Sequence, residues 1–192
     1  MPKKKFNFNR EYWEQRYSRL GDLRTVGRRD FDLKEYKEGK KRLLEIFNRH
    51  ILPGNSVLDF GCGFGRFYRF LKKKFSNYVG MDIVDRVRYN FPFILIHSKL
   101  PILKVDAIFS CFVLQHVIDD KLLNRYFRWF RRSTKYLYFM EEIALEERIR
   151  KDAGKIYLKF RTVNFYRELL KNSNFKIDFE DIFGTQYFVR AK

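Results

Sequence analysis

The chain is poor in the residues that staple a fold or ligate metals. Its 192 residues include two cysteines, three histidines and four prolines. Two cysteines cannot make a disulfide scaffold in a chain this long. His50, His97 and His116 show no ligand spacing with cysteine or a paired acid, so no metal is expected. No apolar run approaches the roughly 18 to 20 residues of a membrane span. The opening Met1-Pro2-Lys3-Lys4-Lys5-Phe6-Asn7 has basic residues with no apolar run behind them, which does not read as a signal peptide. A cytoplasmic setting with free thiols is expected, and no membrane partner. A Gly-Lys-Ser/Thr phosphate loop is missing, as are internal repeats and low-complexity linkers.

Acids are also scarce. There are 23 Asp and Glu against 41 Lys and Arg, and 41 − 23 gives a net charge of +18. That surplus favours polyanions as partners, RNA among them. Hydrophobic residues make up 45% of the chain and aromatics 19%, with 22 Phe and 12 Tyr. A chain of this length and apolar content folds as one domain with a proper core, and disorder is excluded.

The apolar period alternates between helical and strand-like. Helices are predicted over residues 9–20, from Asp32 (with Glu35 at capping-box spacing) to about Asn48, over 64–75, 119–132 and 163–171. Strands are predicted over 56–60, 78–82, 92–97, 105–110, 136–140, 175–179 and 186–190. Such alternation argues for an α/β fold with a mainly parallel sheet covered on both faces. The last two strands are close enough to be antiparallel neighbours.

The informative stretch is Val57-Leu58-Asp59-Phe60-Gly61-Cys62-Gly63-Phe64-Gly65-Arg66, linking a strand to a helix. Glycines there let the chain turn tightly and let a ligand approach the main chain. Asp82 ends the next strand, where a carboxylate can accept bonds from ribose hydroxyls. A dinucleotide site wants a third glycine where this chain has Arg66. An acid such as Asp59 beside the loop would repel a pyrophosphate but suits a ligand carrying an ammonium group.

Asp59-Phe60-Gly61-Cys62-Gly63-Phe64-Gly65 resembles motif I of the class I S-adenosylmethionine-dependent methyltransferases. Asp106 to Val117 resembles that family's fourth strand and following loop, and Tyr12-Trp13-Glu14-Gln15-Arg16-Tyr17 its lid helix. Arg161-Thr162 and Phe175-Lys176-Ile177 also fit its C-terminal half, so the likeness spans most of the chain. The resemblance implies a Rossmann-like fold of seven strands, mostly parallel, with an antiparallel C-terminal strand. Residues 1–192 then form a single domain, with a helical lid over 1–50 and a core over 51–192. The resemblance also implies S-adenosylmethionine as cofactor, bordered by Asp59, Gly61, Cys62, Gly63 and Gly65, with the ribose on Asp82. Ile83, Cys111, Arg16 and Tyr17 follow as further contacts. The acid that this family often places after the third strand is absent here, and Ser98 or a backbone carbonyl is the substitute for contact with the adenine.

For the chemistry, His116 is a candidate general base or a histidine packed at a helix start. Glu141 is a candidate for orienting the acceptor; strand alternation sends Glu142 to the opposite face. Cys111 is either a nucleophile or a small packed residue. Ser110-Cys111-Phe112-Val113 stands where amino-methylating nucleic-acid enzymes carry an Asn/Asp/Ser-Pro-Pro-Tyr motif, which argues against that chemistry. Basic residues gather on Lys121, Arg125, Arg128 and Arg132 along one helical face, on Arg66, Arg69 and Lys73, and on Arg148, Arg150, Lys151, Lys155, Lys159 and Arg161. They either track a phosphate backbone or form a solvated surface. Three readings follow: a methyltransferase acting on RNA through Arg125, Arg128 and Arg132, one acting on a small molecule, and a catalytically silent protein that keeps the fold.

Overall fold

The structure is a computed structural model describing residues 10–18, 32–84, 90–96, 99–151 and 157–192. Residues 10–18 form helix α1. Helix α2 (Leu33–His50) starts at Asp32, whose carboxylate accepts from the Lys34 and Glu35 amides. The expected capping residue is therefore the one in place. Strand β1 (Gly54–Phe60) leads through turns at 63–67 into α3 (Tyr68–Lys74) and β2 (Phe75–Asp82). Strands β3 (Phe93–Leu95) and β4 (Val105–Cys111) follow, then a short 3-10 helix (Leu114–His116). Helix α4 (Asp120–Ser133) starts on the Asp119 carboxylate and α5 (Val163–Asn172) on the Thr162 hydroxyl. Between them lie β5 (Thr134–Glu142), β6 (Arg148–Lys151) and β7 (Tyr157–Phe160); β8 (Ile177–Phe183) and β9 (Gln186–Ala191) close the chain.

Seven strands form one sheet in the order β3-β2-β1-β4-β5-β9-β8. All pairings from β3 to β5 are parallel, and β9 runs antiparallel to both β5 and β8. Central strands are buried without a break, as Val57 to Phe60 and Ala107 to Ser110 show, because helices cover both faces. Odd and even positions sort into two clusters. Val57, Tyr78, Ala107, Phe109, Tyr138 and Met140 face Leu43 and Phe47 of α2 and Leu71 of α3. Leu58, Met81, Ile108, Leu137 and Phe139 face Phe127 and Phe130 of α4 and Tyr166 and Leu170 of α5. The carboxyl ends of β1, β2, β4 and β5 therefore open at one end of the sheet, where the glycine loop lies.

Three sequence expectations need correction. The helix expected over 64–75 begins only at Tyr68, because Gly65 takes φ +81° and Phe67 is not helical. Residue 75, expected to close that helix, instead opens β2. The hairpin of β6 and β7 was not expected from the sequence. Every residue of β6 is exposed, so no burial period marks it. Among the described residues no helix is long and apolar enough to cross a membrane.

Candidate cofactor and acceptor site

The glycine loop is tied to the sheet through its backbone. Gly61 and Cys62 both donate to the Met81 carbonyl, at 2.7 and 3.1 Å, and Gly65 donates to that of Cys62. Gly61, Gly63 and Gly65 all have positive φ, which side chains disfavour. A Cβ on Gly61 would also lie 2.4 Å from Val113, so β1 and the loop after β4 approach closely here. Gly80 is a close approach that the sequence did not signal: a Cβ there would meet Phe91 at 2.7 Å and the Cys62 sulfur at 2.9 Å.

Asp82 ends β2 as expected and is turned toward the loop. Its carboxylate accepts from Gly63 N at 2.8 Å and from Ile83 and Val84 N at 2.7 and 3.2 Å. Asp59 points to the α2–α3 side of the sheet and accepts from the Tyr78 hydroxyl at 2.8 Å. Burial pushes the Asp59 carboxyl up to about 7, against the Tyr78 bond, and the nearby Asp82 charge adds to the rise.

Helix α1 lies across the carboxyl ends of the strands. Arg10 donates from Nε to the Ile83 carbonyl at 2.6 Å and from Nη2 to that of Ile96 at 3.2 Å, pinning the helix past β2 and β3. Trp13 meets the His116 ring edge-on with centroids 5.0 Å apart, which brings the helix over the loop after β4. Arg16 donates to the Tyr12 hydroxyl at 3.1 Å and Tyr17 follows on the same helix. Arg10 and Trp13 thus hold α1 over the ends of β2 and β3 and the loop after β4, while the bond from Arg16 to Tyr12 stays within the helix. Ser98 lies outside the described residues.

The loop after β4 is held from two sides. Phe112 adopts φ 59°, a left-handed conformation rare for a bulky residue, and its amide donates to Met140 O. Glu141 is fully buried; Oε1 accepts from Val113 and Leu114 N at 2.9 and 2.8 Å, and Oε2 from Gln115 N at 3.1 Å. Burial pushes Glu141 up to about 7, while those three amides and Arg161 pull it down. Arg161, equally buried, donates to the carbonyls of Leu114 and Val117 and pairs with Asp120 at 2.8 Å. Lys159 pairs with Asp120 as well.

These contacts revise several expectations. Glu141 is fully enclosed, with both oxygens on backbone amides, so it positions the 113–115 loop, whereas the half-buried Asp82 carboxylate keeps an open side. Arg161, expected on a basic surface, is an interior clamp, and only its bonds across the fold reveal this. Burial first, then the charges of Glu141 and Asp59, push the Cys111 thiol far up, so no thiolate nucleophile forms there. Arg125, Arg128 and Arg132 do not ring the site. Helix α4 runs away from the 3-10 helix, and Lys104, just before β4, donates to Arg132 O at the opposite end of the sheet. At 1.5 Å per residue, Arg132 lies about 18 Å down the helix from its start.

The family pattern described as a methyltransferase domain matches residues 12–178. No curated protein matches by sequence. Three solved structures share the fold. An S-adenosylmethionine-dependent methyltransferase from Mesorhizobium loti is 20% identical, with TM-score 0.64, over 78% of this chain and 95% of its own. The Burkholderia thailandensis 1,6-didemethyltoxoflavin-N1-methyltransferase is 15% identical, with TM-score 0.71, over 93% and 85%. The magnesium protoporphyrin IX methyltransferase of Synechocystis is 15% identical, with TM-score 0.67, over 96% and 98%.

Proposed function

The chain belongs to the methyltransferase domain family that its residues 12–178 match, and from that membership we propose that it transfers a methyl group from S-adenosylmethionine to a small-molecule acceptor held beneath α1. The donor set fits that cofactor. Three left-handed glycines leave the loop's main chain open to it, and two acids suit its ribose and its ammonium group. S-adenosylmethionine supplies a methyl group activated on a sulfonium, so the protein's work is positioning and desolvation. Asp82 would hold the ribose diol on the carboxylate that also accepts from the Gly63 amide, which would couple loop position to cofactor binding. Asp59, poised at about 7, would be held ionised by an ammonium group placed against it. Of the titratable groups ending β4 and β5, Cys111 stays a thiol, Glu141 is enclosed on backbone amides and Glu142 alternates to the opposite face of the sheet, so His116 in the loop after β4 takes the general-base role.

The observation that carries the small-molecule reading is the docking of α1 through Arg10 and Trp13, which roofs the site. The cations of α4 descend its outer flank instead of flanking a cleft for RNA. The Burkholderia relative holds 1,6-didemethyltoxoflavin together with S-adenosylhomocysteine, a small acceptor beside the spent cofactor. Incubation with methyl-labelled S-adenosylmethionine and fractionated cell extract tests the proposal. Label is expected in the metabolite fraction, and label in RNA alone would overturn the small-molecule acceptor.

A further inference from the structure

Beside the glycine loop, three cations gather without a counter-charge. Tyr36 and Lys40 lie one turn apart on α2, on the same face and near its loop-side end. The Arg66 guanidinium lies 5.1 Å over the Tyr36 ring and 4.9 Å over the Phe67 ring. Arg69 follows on α3. Among the described residues, no ion pair joins Lys40, Arg66 or Arg69 to an acid. The Arg66 Nε is buried and its N–H donates to no partner there. By contrast, among the described residues Lys159 and Arg161 pair with Asp120, and Arg190 with Asp178.

Electrostatics points the same way. Burial, then repulsion from Arg66 and Arg69, lowers the Lys40 pKa, with no acid offsetting them. The charge of Arg66 also reaches the Cys111 thiol at the end of β4. Arg66, which directly follows the glycine loop, thus lies within electrostatic reach of the end of β4. Partly desolvated cations that repel one another are stabilised only when an anion joins them. A planar guanidinium held over an aromatic ring presents its remaining N–H groups in a fixed fork, suited to an oxyanion.

We propose that Lys40, Arg66 and Arg69 form an oxyanion subsite that docks a carboxylate or phosphate group of the methyl acceptor. This assignment rests on the function proposed above and narrows the acceptor to an acidic small molecule. The cofactor's own carboxylate is the rival occupant, and the test separates the two.

Inorganic phosphate is titrated into the isotopically labelled full chain and backbone amide shifts are followed, with S-adenosylhomocysteine titrated in parallel. Saturable shifts confined to residues near 36–40 and 65–69 are expected. Phosphate affinity is expected to fall at least about tenfold in Arg66→Gln and in Lys40→Gln, a loss typical of a charged hydrogen bond, while S-adenosylhomocysteine affinity stays unchanged. Lys40→Gln guards against misfolding, because Arg66 lies over two aromatic rings and its loss would disturb their packing more. Phosphate shifts that are absent, or indifferent to both substitutions, would overturn the subsite. A parallel loss of S-adenosylhomocysteine affinity would reassign it to the cofactor. A wild-type chain that holds phosphate but no S-adenosylhomocysteine would refute the function and, with it, the acceptor assignment.

Discussion

Replacing Arg161 with methionine removes the clamp on the loop after β4 while keeping most of the side-chain volume. The guanidinium is fully buried, serves the Leu114 and Val117 carbonyls, and is the cation that offsets buried Glu141. Each charged hydrogen bond is worth about 1.5–3 kcal/mol. Breaking a buried ionic arrangement on one side costs about 3–5 kcal/mol. These losses overlap, so we expect about 3–5 kcal/mol in all. At about 2–4 °C per kcal/mol for a domain this size, Tm falls by about 6–20 °C. Thermal unfolding followed by circular dichroism measures the shift. A second signature separates the clamp from simple packing. Arg161 pulls the Glu141 carboxyl down, so its removal moves the pH at which stability is lost upward. Arg161→Lys keeps the charge but not the fork and should recover part of the loss. A Tm within about 2 °C of wild type for Arg161→Met would refute the clamp.

Three further outcomes are expected. Asp59 and Glu141 have folded-state pKa values of about 7, above their ordinary 3.8 and 4.5, so the folded chain holds protons that the unfolded chain releases. Their stabilising contribution is full below their unfolded values and is lost as pH rises through 7, by about 1.4 kcal/mol for each group between pH 6 and 8; Asp59→Asn should flatten that slope by about half. Gly61→Ala places a Cβ 2.4 Å from Val113 at φ +74°, and cofactor affinity should fall sharply in calorimetry even where the chain still folds. Replacing both Arg125 and Arg128 with alanine should leave methyl transfer unchanged, because those side chains lie along the outer flank of α4; a loss above about tenfold would show that the stripe meets the acceptor.

The sheet was legible because its signals are local. Buried runs, capping acids at 32 and 119 and the glycine turn each sit within a few residues of what they determine. The alternation of helix and strand then fixes which ends converge. Asp59 and Asp82 stand out in the sequence because each lies at or next to a strand end beside the loop. Their partners do not. Tyr78 reaches Asp59 from the neighbouring strand, and Arg161 reaches the 114–120 segment from more than forty residues away. Nothing in the local pattern separates a buried arginine from a solvated one when six basic residues crowd one segment. For the same reason, a charge of +18 does not by itself locate a surface for RNA. The surplus is spread over α4, the β6–β7 hairpin and the loop-side cluster, and part of it is taken up by ion pairs such as those of Lys159 and Arg161 with Asp120.

Calorimetric titration with S-adenosylhomocysteine tests the central claim most directly. Saturable one-to-one binding is expected for the wild-type chain. Asp82→Ala should weaken it by about 10–100-fold, the worth of one or two charged hydrogen bonds. A wild-type chain that takes up no heat of binding, or an Asp82→Ala chain that binds as tightly as wild type, would contradict the account.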